Sequence, residues 1–157
     1  MTLKIAVLAT VLAGMSVPVL ASNLIDATDP ERVLNVARGF GSADLGTSPS
    51  TSNPRISGRI EGTRYYIFFY GCTNNRNCSD IQFRATWSAP GKYSLADMNT
   101  WNRSKRYGKA YLDSDNDPVL EMPVNIKHGV AQRNLEDSFN WWKVALRGFK
   151  KDVLQID

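Results

Sequence analysis

The stretch from Ile56 to Trp87 limits the fold more than any other part of the chain, because its apolar residues alternate. Ile81, Phe83, Ala85 and Trp87 take turns with Gln82, Arg84 and Thr86. A period of two puts the four apolar side chains on one face of a strand. Ile56 and Ile60 alternate with Ser57 and Arg59 in the same way. Tyr65 to Tyr70 is apolar or aromatic at every position, which suits an interior strand with both faces at least partly covered. Between these runs, Glu61-Gly62-Thr63 supplies a tight turn, since Gly62 can adopt a positive φ. The centre of the chain therefore reads as antiparallel β-structure, and the flanking segments as material that covers it.

Cys72 and Cys78, the only cysteines, close this region in a loop at the tip of a hairpin. Their reading depends on compartment, and the N-terminus speaks to that. Residues 1–21 have the pattern of a secretory signal peptide. Lys4 gives a positive start, Ile5 to Met15 is almost uninterrupted apolar, and Pro18 breaks the run before Val19-Leu20-Ala21. Cleavage is expected between Ala21 and Ser22, leaving residues 22–157 as a single domain in the periplasm or secreted. The apolar run is too short for a comfortable ~20-residue membrane span, so no stable membrane insertion is expected after cleavage. An oxidising compartment favours a structural Cys72–Cys78 disulfide. Two cysteines and the lone His128 make a poor zinc signature. The pair also lacks the Cys-x-x-Cys spacing of a redox motif.

Helices are signalled at three places. Asp29-Pro30-Glu31 offers a cap, a first-turn proline and a dipole-matched acid before Val33, Val36, Ala37 and Phe40. Ser94 with Asp97 forms a capping-box pattern, and Leu95, Met98 and Trp101 continue it to about Lys105. Leu135, Phe139, Trp142, Leu146, Phe149 and Val153 make one apolar stripe on a C-terminal helix. Between the helices, Ala43–Thr47 is a candidate first strand, and Ser48 to Pro54 reads as an exposed loop. Ala110–Leu112 and Val119–Ile126 form a hairpin about the Asp113–Pro118 turn. Pro123 suggests that the second of these is an edge strand or carries a bulge. The expected fold is α+β: an antiparallel sheet of five to six strands with three helices packed on it.

Most chemistries lack their residues. Asp113-x-Asp115-x-Asp117 lacks the glycine and the bidentate acid that an EF-hand calcium loop requires, having Pro118 and Val124 there instead. A hydrolase needs a base beside its nucleophile, and His128 is the only imidazole. No catalytic residue, metal site or cofactor is therefore expected. A formal charge of +4, which falls by one if Lys4 is removed, does not argue for nucleic acid. Asn102, Lys105, Arg106 and Trp141 remain as candidate binding residues. They are polar groups beside the Trp101 anchor, and a tryptophan about 100° round the helix from Trp142. An alternative is an envelope enzyme or sugar-binding protein that uses Trp101 and the acids from Asp113 to Glu121.

Several blocks together resemble a known family. Gly62-Thr-x-Tyr65 leads to Phe69-Tyr-Gly-Cys72, and Cys78 precedes Ile81-Gln-Phe83. The most specific block is Trp101-Asn102-x-x-Lys105-Arg106-Tyr107-Gly108-x-Ala110-Tyr-Leu112, followed by Asp117-Pro-x-Leu-Glu121 and Phe139-x-Trp141-Trp142. Over Asp29 to Phe149 the chain resembles the exported branch of the YbjN domain family, described as bacterial sensory-transduction regulators. The resemblance implies a fold similar to type III secretion chaperones, in the order helix, strands, helix, hairpin, helix. It implies no catalytic residues. It points to a regulatory or chaperone-like module that binds another protein or itself, with a homodimer as one form.

Overall fold

The computed structural model describes residues 24–156. The expected leader and its cleavage point at Ala21 and Ser22 lie outside them. The fold is α+β, with six antiparallel strands and three helices. In chain order these are α1 (Pro30–Arg38), β1 (Ala43–Thr47), β2 (Pro54–Ile60), β3 (Thr63–Tyr70), β4 (Asp80–Thr86), α2 (Leu95–Ser104), β5 (Lys109–Leu112), β6 (Pro118–Asn125) and α3 (Gln132–Phe149). Across the sheet the order is β1-β2-β3-β4-β6-β5. The last strand is thus inserted between β4 and β5.

The alternation read from the sequence sorts the sheet into two faces. Ile56, Ile60, Tyr65, Ile67, Phe69, Ile81, Phe83 and Ala85 all point to one side and are buried. Helices α1 and α3 cover that side. Phe83 meets Phe139 edge-on at 4.8 Å and Trp142 at 5.5 Å, and Phe40 stacks on Phe139 at 5.0 Å. Gly58 is opposite Tyr65 and lies under its ring, where a Cβ would come within 2.8 Å of it. The β2–β3 turn has φ +48° at Glu61 and +77° at Gly62. Two successive positive values match the right-handed strand twist of a tight hairpin.

The other face of β3 is partly covered, as its unbroken apolar run suggests, but by side chains rather than helices. Tyr66 and Phe68 are half-buried there beneath two guanidinium groups: Arg55 stands 4.8 Å from the Tyr66 ring and Arg84 5.7 Å from that of Phe68. Stacked cations do on this face what helices do on the other.

Three expectations need correction. The strand holding Pro123 is not an edge: β6 has β4 on one side and β5 on the other. However, β5 ends at Lys109, opposite Glu121, so β6 has a single neighbour from Met122 onwards. The β4–β6 hydrogen-bond phase, set by Trp87 N–H donating to Pro118 O, makes Gln82 and Pro123 a non-bonded pair. The missing N–H of Pro123 therefore falls on the side where β5 has ended. Asp29 sits at the cap position of α1 without a side-chain capping bond. Leu95 is 68% exposed, so the buried stripe of α2 is Met98 and Trp101 alone. Ser94 and Asp97 do form the reciprocal capping box.

After Phe149 the last helix widens into a π-helical turn, Lys150–Leu154. The wider turn moves the apolar stripe on by one residue. Leu154 is buried, while Val153, which α-helical spacing selects, is only partly so. Cys72 and Cys78 are joined in a disulfide that closes the loop between β3 and β4.

A candidate binding groove between α2 and α3

The Trp101 to Gly108 segment is shaped by one buried indole. Trp101 is 2% exposed, donates Nε1–H to Gly108 O at 2.7 Å and meets Phe149 edge-on at 5.2 Å. It lies against Gly148 of α3, where a Cβ would stand 3.2 Å from Cη2 of the indole. This close approach leaves a groove of about 350 Å3 beside Trp101, with Ala145 and Gly148 on the α3 side.

Three of the four sequence candidates meet here: Lys105, Arg106 and Trp141 all line the groove. Trp141 is 40% exposed and packs on Tyr107, ring centroids 4.5 Å apart. Val144, one turn on from Trp141, continues the exposed apolar surface. Lys105 sits over the Trp101 ring at 5.2 Å and pairs with Asp152 at 2.7 Å. Arg106 is exposed and has no ion-pair partner among the described residues. Tyr107 belongs to the most specific family-like block but not to the candidate binding residues, and Val144 to neither. The available signal was the i, i+3 spacing of Trp141 and Val144 on the face of α3 away from the core.

Asn102 is placed differently. Its side-chain amide accepts from Ala110 N–H at 2.8 Å and donates to Ala110 O at 2.9 Å. It pairs with β5 as a further strand would. The backbone groups of Ala110 point away from β6, so Asn102 satisfies the outward side of this edge at Ala110.

The acids of the alternative reading are engaged within the fold. Asp113 Oδ1 accepts from the N–H groups of Asp115 and Asp117, both at 3.0 Å, and Asp117 Oδ1 from Ala89 N–H at 2.6 Å. Glu121 is 5% exposed and accepts from Arg84 Nε at 2.8 Å and Tyr111 Oη at 2.7 Å, with Lys109 Nζ at 3.2 Å. Burial alone would push its carboxyl up. Hydrogen bonds from Tyr111 and Lys109, with the Arg84 and Lys109 charges, outweigh that and hold it below the usual glutamate value. A carboxylate held charged cannot serve as a general acid near neutrality. Among the described residues, no group of three or more His, Cys, Asp and Glu side chains is placed to hold a metal ion. A larger cleft of about 580 Å3 opens between α1 and α3, lined by Asn35, Gln132, Glu136 and Asn140 among others. It gathers none of the candidate residues.

Residues 29–155 match the model of a family described as "putative bacterial sensory transduction regulator". The chain belongs to the YbjN family. The match takes in every element from α1 to the π-helical turn, and so the whole groove. No curated protein matches the chain. The YbjN description is that of a regulatory domain and brings no assigned active site to the groove.

Proposed function

We propose that this YbjN chain is an exported, non-catalytic regulatory module that holds a short segment of another protein in the Trp141–Tyr107 groove. The observation that carries this reading is the exposed aromatic pair over a preformed apolar groove, with Arg106, which has no ion-pair partner among the described residues, at its rim. Exposed aromatics beside an arginine are the composition of protein-binding hot spots. The chemistry fits a segment that offers one aromatic or branched aliphatic side chain to the groove and a carboxylate to Arg106. The N-terminal leader pattern and the Cys72–Cys78 disulfide support export.

Peptide display against the wild-type protein should select sequences that join an aromatic or branched apolar residue to an acid. Their affinity should fall about tenfold or more in Trp141→Ser, the scale of a hot-spot loss, with the melting temperature nearly unchanged. Arg106→Glu should shift the selection away from acidic peptides. If no peptides are selected, or if they bind Trp141→Ser equally well, the groove is not the binding site. Export has its own readout. Protein from the periplasmic fraction should begin at Ser22 and resist alkylation until reduced.

A further inference from the structure

The sheet has two edges, and one of them is closed at Ala110 and flanked by α2. At β5 the outward N–H and C=O of Ala110 are both taken by Asn102, and α2 packs alongside. At β1 the phase of the ladder is set by Arg59 N–H donating to Ser42 O. Asp44 and Gly46 therefore bond inward to β2, while the backbone groups of Ala43, Leu45 and Thr47 point outward. Arg38 Nε reaches one of these, Ala43 O, at 3.3 Å. Those of Leu45 and Thr47 meet no partner among the described residues. The pairing of β1 with β2 is unbroken by a bulge, and β1 contains no proline or lysine. Of the devices that blunt an edge, proline, lysine and a bulge are missing from this one, and Asp44 is its one charge.

We propose that β1 pairs antiparallel with β1 of a second copy, about a two-fold axis at Leu45, so that one sheet runs through both molecules. Three features of the strand fit a copy of itself. The outward groups are symmetric about Leu45, so Leu45 meets its counterpart as a pair that exchanges both hydrogen bonds, and Ala43 meets Thr47. Asp44, the one charge on β1, falls opposite the Gly46 of the other copy rather than opposite its own counterpart. Beyond that glycine on the same face stands the other copy's Arg55, since Gly46 pairs with Arg55. Two strand spacings, about 10 Å, separate the Asp44 and Arg55 backbones, and glycine leaves the space between them open. Arg55 has no ion-pair partner among the described residues of its own chain. The two-fold axis makes the contact twice. It involves no part of the Trp141 groove, so this inference and the groove reading stand or fall separately.

Sedimentation velocity of the purified protein from about 1 µM to about 1 mM, the range expected of a small interface, should show a concentration-dependent dimer. Leu45→Pro removes the central outward N–H without touching the β1–β2 bonds, and should leave a folded monomer. Asp44→Arg and Arg55→Asp should each weaken the dimer by about tenfold, as like charges across strands repel. The double reversal in one chain should restore it. The reversals keep the test decisive should Leu45→Pro fail to fold. A monomer at all concentrations would overturn the proposal. So would a dimer indifferent to the single reversals, or a double reversal that does not recover.

Discussion

Replacing Asn102 with alanine tests whether a single side chain closes the β5 edge at Ala110. The amide makes two neutral bonds to Ala110, at 2.8 and 2.9 Å, and Ala110 is 2% exposed. Two such bonds contribute about 1 kcal/mol each. Asn102 itself is exposed, so water can reach the two freed backbone groups and limit the further loss. The expected cost is about 2 kcal/mol, or about 8 °C of melting temperature for a domain of this size. Urea denaturation followed by tryptophan fluorescence measures the first number. Hydrogen exchange at the Ala110 amide measures the cause, and that amide should lose protection more than its neighbours. Asn102→Asp sharpens the test. It keeps an acceptor for Ala110 N–H but sets a negative oxygen against Ala110 O. It should therefore cost more than alanine at neutral pH and recover in acid, when a protonated carboxyl can donate. A change below about 0.5 kcal/mol for Asn102→Ala, with Ala110 exchange unaltered, would refute the reasoning.

Trp101→Ala should cost about 3–5 kcal/mol, because it empties a buried site against Phe149 and Gly148; a loss under about 1 kcal/mol in denaturant titration would contradict that packing. Glu121→Gln should cost about 1.5–3 kcal/mol, the range for hydrogen bonds to a charged group, measured the same way. The folded-state carboxyl of Glu121 lies below its ordinary value. Its contribution is therefore complete above that value and is lost as pH falls through the folded one. Melts at about pH 6 and about pH 3 should differ less in Glu121→Gln than in the wild type. Changing both Cys72 and Cys78 to serine should lower stability by about 2 kcal/mol in the chain-entropy picture of a short loop, while reductant should leave the melting temperature of that variant unmoved.

Local signals in the sequence carried over well where burial and periodicity coincide. The strand at Ala43–Thr47 and the capping box at Ser94 and Asp97 are both present. Ile81, Phe83 and Ala85 share the buried face. What the sequence hides is mostly who stands next to whom. Pro123 tells only that a donor is missing, not that its neighbouring strand stops at Lys109. Ser48 reads as part of an exposed loop, yet it is 4% exposed, packed in while Ser50 to Ser52 form the open turn. Leu95 has helical spacing with Met98 and Trp101, but in the first turn of α2 it faces solvent. The π-helical turn leaves no mark in residue type. In the candidate groove, Lys105 and Arg106 are far in sequence from Trp141, and only the packing of Trp101 on Gly148 brings them together. Asn102 looks like a free surface amide until its partner eight residues on is known.

The placement of β6 between β4 and β5 has a kinetic consequence. Strands β1 to β4 form a meander of neighbours in sequence and can assemble from local turns. The sheet cannot be completed that way, because β4 must wait for a strand beyond both α2 and β5. Closing that long loop is entropically costly before its contacts form. Until then, the Asp80–Thr86 edge stands unpaired, with Ile81, Phe83 and Ala85 alternating along it. Docking of the β5–β6 hairpin is thus the expected slow step, and the interval before it the time of greatest aggregation risk. A circular permutant that begins at β5 and joins the old termini would reorder that search, and should refold at a different rate while reaching the same native sheet.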